Sequence, residues 1–304
     1  MKKIILDCDP GHDDAIAIIL ASSNKDIDLL GITIESGNQT IEKTAKNALN
    51  VCKYLDIDVP ICLGKGHPII KDVEICDAIH GESGLDGFEF PQYEMCFSLQ
   101  NAVDFIIKTC LNNKKVTIVT TGPMTNLALA LRVEPAIKEH IEEVVFMGGS
   151  IANGNVSPAS EFNILCDPEA AHIVISSGLK VKMIGLDVTR KVLCFDSIIQ
   201  KANMIKTKSS DLFVNLMKEF NRTQKAVFGF EGAPLHDPAT IVSLIDERVI
   251  TFKKMNVEID LSHGVSYGRT NCDIFGYLNK VPNVYVAVGI DVDLYWKIVL
   301  DNLM

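Results

Sequence analysis

One stretch constrains this chain more than any other: Ile4-Ile5-Leu6-Asp7-Cys8-Asp9-Pro10-Gly11-His12-Asp13-Asp14-Ala15-Ile16-Ala17-Ile18. It begins as an unbroken apolar run, the pattern of a strand covered on both faces of a parallel sheet. Pro10-Gly11 breaks that strand, and beyond Asp13 the apolar residues Ile16, Ala17, Ile19 and Leu20 recur at helical spacing. The corner is therefore a strand-to-helix turn carrying four carboxylates. The period of two puts Asp7 and Asp9 on one strand face, and Asp13 and Asp14 fall at the helix N-terminus. A helix N-terminus stabilises an exposed anionic side chain by only about 0.3–1 kcal/mol, whereas clustered like charges push each other's pKa up. The corner needs a counter-charge, and an oxygen-only donor set suits a hard cation, Ca²⁺ or Mg²⁺, better than zinc. A solvated acidic helix start is the bland alternative. Against it stands the position of Asp9 at the C-terminal end of a buried strand, where open α/β sheets bind ligands.

The remainder of the chain supports one large α/β domain spanning residues 1–304. It is 47% hydrophobic, and no Pro/Ser-rich linker, charge run or internal repeat divides it. The net charge is −10, without a Lys/Arg stripe, which argues against nucleic acid or an anionic membrane as partner. Nine cysteines, at 8, 52, 62, 76, 96, 110, 166, 194 and 272, contain no Cys-x-x-Cys pair and sit mostly in apolar runs. They read as free thiols of a reducing compartment. Met1-Lys2-Lys3 leads straight into the acidic corner, so no secretory leader is expected and a cytoplasmic location is.

Strands and helices alternate along the chain. Buried strands are expected at 27–34, 60–63, 116–121, 144–147 and 181–186, with helices at about 41–55, 101–111, from 125, from 167, 196–206, 209–226 and 239–244. The closing part carries strands near 255–260 and 283–288, a hairpin or loop over 262–281, and a helix at 294–303. This order predicts right-handed βαβ units, a mainly parallel central sheet flanked by helices, and a Rossmann-like core. Residues 64–98 break the rhythm with His67, His80 and the phrase His80-Gly81-Glu82-Ser83-Gly84-Leu85-Asp86-Gly87. A loop of this length is functional or disordered, and its glycines suit a moving lid. His80, an otherwise ordinary loop histidine, becomes a candidate only in that setting. Glu161 and Asn163 flank Phe162 where both could face a polyol, and His236-Asp237 adds a second imidazole and a further carboxylate ahead of a helix.

The octet Asp7-Cys8-Asp9-Pro10-Gly11-His12-Asp13-Asp14, followed in order by Met147-Gly148-Gly149, Glu161-Phe162-Asn163 and His236-Asp237, resembles the inosine–uridine-preferring nucleoside hydrolases. The likeness runs from about residue 3 to residue 300, and the octet is its most specific part. It implies a Ca²⁺ ion held by Asp9, Asp14, the Thr121 carbonyl and Asp237, with Asp9 doubling as the base that takes a proton from the attacking water. It implies that Asp13, Asn38 and Asn163 bind the ribose 2′- and 3′-hydroxyls, that Asp237 is shared between sugar and ion, and that Asn155 and Glu161 hold the 5′-hydroxyl. Met147, Gln224 and Phe228 complete the implied substrate-binding set, and His236 and His80 would act at the leaving base. A small ribonucleoside is the implied partner, with the chain in a homotetramer or dimer.

The phrase around His80 and the run Gly229-Phe230-Glu231-Gly232-Ala233-Pro234-Leu235-His236-Asp237-Pro238 look most like pyrimidine-preferring members, so uridine and cytidine are the expected substrates. Purine-preferring relatives outside that subgroup stack the base on tryptophans, whereas the single tryptophan here, Trp296, belongs to the closing helix. Stacking would fall to Phe228 or Phe230, although some relatives carry tyrosine at position 228. A broad inosine–uridine hydrolase is the nearest alternative. Further away stand a phosphatase of the haloacid dehalogenase type, which also opens on Asp-x-Asp but has no place for Gly11 and the Asp13-Asp14 pair, and a non-catalytic nucleoside-binding module.

Overall fold

The computed structural model describes residues 1–304. Nine strands form one sheet: β1 (Lys2–Cys8), β2 (Ile27–Ile34), β3 (Ile61–Leu63), β4 (Val116–Thr120), β5 (Ile141–Met147), β6 (Val181–Ile184), β9 (Ile250–Ile259), β10 (Thr270–Asp273) and β11 (Val284–Ile290); β7 (Leu193–Cys194) and β8 (Ala233–Pro234) pair separately. The order across the sheet is β10-β9-β11-β6-β5-β4-β1-β2-β3. Strands β3, β2, β1, β4, β5, β6 and β11 run parallel, and β9 is antiparallel to both of its neighbours, β11 and β10. The expected mainly parallel sheet flanked by helices is what the chain forms.

The first strand lies inside the sheet, between β4 and β2, with six strands on one side of it and two on the other. Its residues Ile4, Ile5 and Leu6 are fully buried because helices cover both sheet faces. Ile4 and Leu6 face one hydrophobic cluster and Ile5 the other, so the unbroken apolar run serves two cores at once. The following helix, His12–Ser23, is buried over nearly its whole circumference, from His12 to Ala21. It packs against the helices Pro238–Ile245, Lys208–Phe228 and Ile41–Tyr54 as well as against β2, which is why it shows no polar face.

Two expectations change. The segment 262–281 resolves into the return of a hairpin: β10 pairs with β9 through Thr270↔Ile259, and β9 starts at Ile250 rather than near 255. The long segment 64–98 is not a free lid at His80. A single helical turn, Asp77–His80, carries that histidine inward until only 6% of it is exposed.

Candidate active site

Because β5, β4, β1 and β2 are parallel neighbours, all four release the chain on the same edge of the sheet. There they deliver Met147, Thr121, Asp9 and Asn38. Asp9 lies just past the last residue of β1. Its carboxylate is fully buried: Oδ2 accepts the Asn38 backbone N–H at 2.7 Å, and Oδ1 has no partner in the protein. Gly37 and Gly122 close over it so tightly that a Cβ at either position would collide with the carboxylate. Asp14, on the first turn of the helix, accepts from Gly11 N–H (3.0 Å), Asn38 Nδ2 (3.0 Å) and Thr121 Oγ1 (2.7 Å).

Asp237 starts the helix Pro238–Ile245 and faces Asp13 and Asp14; one carboxylate oxygen from each of the three lies within 4.8 Å of the others. No ion pair in the molecule involves these carboxylates or Asp9. Burial, with the repulsion of the neighbouring carboxylates, lifts Asp9, Asp13 and Asp237 above the ordinary carboxylate range. Burial also lifts Asp14, against the donors that hold it. Asp7 does not join them. Its Oδ1 accepts from Thr33 Oγ1 (2.6 Å) and Asn126 Nδ2 (2.9 Å), and Asp9 lies beyond the strand's last residue, Cys8, where the alternation that would align the two no longer applies.

Another wall of the site is built by the short helix Phe162–Cys166. Glu161 caps it, accepting the N–H groups of Asn163 (3.0 Å) and Ile164 (3.2 Å), and its Oε2 also takes the Gly149 N–H at 2.8 Å. Burial raises Glu161 to about 6 in spite of these donors. Asn163 Nδ2 donates to the carbonyls of Thr121 (2.7 Å) and Met147 (3.1 Å), and Asn155 Oδ1 accepts the Phe162 N–H at 3.0 Å. His236 Nδ1 meets Thr189 Oγ1 at 2.7 Å, and burial together with the Arg190 charge lowers it to about 3. His80 is likewise held neutral by burial.

One cavity is lined by every expected site residue except Asp9 and Asp14, which lie behind Asn38 and Thr121. Gln224 and Phe228 enter it from the last turns of the helix Lys208–Phe228. Gln224 is buried with Oε1 unpartnered, and Phe228 is half-exposed, 5.8 Å from the Phe230 ring. Sequence reasoning passed over Phe220 and Arg190, which also line the cavity, and His12, which touches His80. The only signal for His12 was its place inside the acidic octet.

The family model for inosine-uridine preferring nucleoside hydrolases matches residues 4–297. The chain belongs to that family. It is 44% identical over 299 residues to the pyrimidine-specific ribonucleoside hydrolase RihB of Escherichia coli, covering 98% of this chain and 96% of that one. Among solved structures, a purine-preferring ribonucleoside hydrolase from Gardnerella vaginalis superposes with a TM-score of 0.93 at 34% identity, covering 99% of this chain and 98% of that one. The plant nucleoside hydrolase PpNRh1 gives 0.93 at 28% identity, over the same shares of the two chains. This nucleoside hydrolase is thus a ribonucleoside N-glycosidase, and the converging strand ends are its candidate site.

Proposed function

We propose that this nucleoside hydrolase cleaves the N-glycosidic bond of pyrimidine ribonucleosides, uridine and cytidine, in a Ca²⁺-dependent reaction that gives ribose and the free base. The observation that carries the reading is the buried carboxylate cluster without any cationic side chain, set against a cavity with two neutral imidazoles. An all-oxygen donor set and the unpartnered Asp9 Oδ1 fit a hard divalent ion. Asp9, Asp14, Asp237 and the Thr121 carbonyl would hold it, with Asp13 close enough to add to the field. When bound, the ion supplies positive charge that makes a neighbouring water more acidic.

Asp9 then accepts the proton of the attacking water. Its Oδ2 is pinned by the Asn38 N–H, so Oδ1 is the oxygen left to receive it. Asp13, Asn38 and Asn163 take the ribose 2′- and 3′-hydroxyls, and Asn155 and Glu161 the 5′-hydroxyl. Positive charge develops on the sugar as the base departs, and the anionic wall stabilises it. His236 and His80 meet the leaving base, with Gln224 and Phe228 against its ring. The pyrimidine preference is supported by the likeness to RihB and by Trp296, which packs against Tyr295 in the closing helix with only 6% exposed and does not line the cavity. The likeness to the purine-preferring Gardnerella enzyme supports the competing reading.

A reducing-sugar assay over uridine, cytidine, inosine and adenosine with Ca²⁺ present tests the proposal. Uridine and cytidine should give the highest kcat/KM; a purine preference would overturn the base assignment, and no ribose release from any nucleoside would overturn the reaction. We place the enzyme in the cytoplasm as a homotetramer or dimer, on the support of its unpaired cysteines and of the family resemblance. No helix is long and apolar enough to cross a membrane.

A further inference from the structure

The helical turn Leu186–Thr189, which follows β6, and the next residue, Arg190, meet the segment 151–154 with two opposite chemistries. The Asp187 carboxylate accepts the backbone N–H groups of Ile151 (2.6 Å) and Ala152 (3.1 Å). Three residues further on, the Arg190 guanidinium donates to the backbone carbonyls of Asn153 (3.3 Å) and Gly154 (2.7 Å). Four consecutive residues are thus held by their backbone, two through N–H and two through C=O. Neither side chain takes part in an ion pair, so both charges are spent on these contacts. Hydrogen bonds to ionised groups are the stronger kind.

The held segment leads directly into Asn155. Gly154 N–H donates to the Pro158 carbonyl and Asn155 N–H to the Ser160 carbonyl, so the chain folds back on itself here. The fold-back is tight enough that a Cβ on Gly154 would collide with the Ser157 and Ser160 carbonyl oxygens. A backbone N–H needs an acceptor, so the contact with Phe162 N–H fixes which atom of Asn155 is Oδ1 and leaves Nδ2 to donate elsewhere. Asn155 and Arg190 line the cavity, whereas Ala152 and Asn153 are exposed. The segment borders solvent on one side and the ligand on the other, and an exposed loop opens readily unless its backbone is tied down.

We infer that Asp187 and Arg190 are positioning residues: by gripping segment 151–154 through its backbone, they set where Asn155 stands in the cavity and so sharpen the preference for ribosides that carry a 5′-hydroxyl. The inference rests on the 5′-hydroxyl role proposed for Asn155. The two side chains carry opposite charges, which separates this role from a field effect. Acting through the field on the developing sugar charge or on the leaving base, their removals would change turnover in opposite directions. Acting through the segment, both removals change it in the same direction.

Arg190→Met and Asp187→Ala, made in the full chain and assayed with Ca²⁺ on uridine and 5′-deoxyuridine, test the inference. In both variants kcat/KM for uridine should fall about 10-fold, with 5′-deoxyuridine turnover nearly unchanged. On an Asn155→Ala background, Arg190→Met should add no further loss. Equal losses on the two substrates, or opposite effects of the two variants, would overturn the inference. Hydrogen exchange read by mass spectrometry reports on the segment without any substrate. Arg190 only donates to this segment, so Arg190→Met takes an acceptor from none of its amides. Residues 151–155 should nevertheless exchange faster in that variant while β6 stays protected. Unchanged exchange there would overturn the inference even if the variant lost activity. An Asn155→Ala enzyme with an unchanged preference for uridine over 5′-deoxyuridine would overturn it through the role of Asn155. Failure to hydrolyse any nucleoside would instead overturn the proposed function, and the exchange result would still decide whether the two side chains hold the segment.

Discussion

At the scale of single residues, Asp9 shows how a carboxylate becomes useful by being left incomplete. One oxygen is fixed by the Asn38 N–H and the other is buried without a partner, in a space that two glycines shape. Asp9→Asn is nearly isosteric, so the fold should survive, but the proton acceptor and a ligand charge disappear together. Stopped-flow or steady-state uridine hydrolysis should show kcat reduced at least about 10²-fold. Near-normal turnover would take the base assignment away. The residues of this corner were readable from sequence because their signal is local: a strand, a break and a helix start within eight residues. Asp7 was misread by the same logic, since alternation holds only while the strand lasts. The contact between His80 and His12 was hidden for the opposite reason. It spans 68 residues, and no periodicity announces that a turn in a long irregular segment folds back onto the first helix.

At the scale of elements, parallel pairing on the site edge is matched by an electrostatic clasp on the same strands. Glu143 of β5 sits between Lys182 of β6 at 3.1 Å and Lys180 at 2.8 Å, with its side chain only 8% exposed. Burial would raise the Glu143 pKa, but the hydrogen bond and charge of Lys180 and the charge of Lys182 outweigh it and leave it lowered. A carboxylate with a depressed folded pKa contributes stability above its unfolded value, and that contribution is lost as the pH falls through the folded one. Glu143→Gln should therefore cost about 1–2 kcal/mol at pH 7, between the ranges of exposed and buried pairs. The gap should narrow steadily below about pH 4.5. Urea unfolding of both proteins at pH 7 and pH 3.5 measures it, and a pH-independent gap would mean that packing, not charge, is what the substitution removes. Strand positions were largely legible in the sequence because fully buried parallel strands leave continuous apolar runs. The antiparallel return of β9 and β10 was not, for both are partly exposed and β10 is only four residues long.

At the scale of the whole molecule, the acidic cluster ties the first helix to the start of the helix Pro238–Ile245, bringing together parts of the chain more than two hundred residues apart. Without a bound cation the buried carboxylates repel one another, so the ion should act on folding as well as on turnover. Chelation should lower the thermal midpoint and abolish uridine hydrolysis, and added Ca²⁺ should restore both, by about 2.7 kcal/mol at a hundredfold excess over Kd. A chelated enzyme with unchanged midpoint and full activity would refute the metal assignment.

The strand order of the sheet carries a consequence for synthesis. The first strand made is seated inside the sheet, and its neighbour β4 does not exist until residue 120 has been added. The β6 edge waits until β11 ends at Ile290, and the Lys2 ammonium hydrogen-bonds the Leu244 carbonyl. The nascent amino-terminal strand therefore keeps one hydrogen-bonding edge uncovered until β4 has been made, the condition that favours aggregation and holding by chaperones. The acidic cluster, although two of its carboxylates are encoded in the first fourteen residues, comes into being only after Asp237 has left the ribosome.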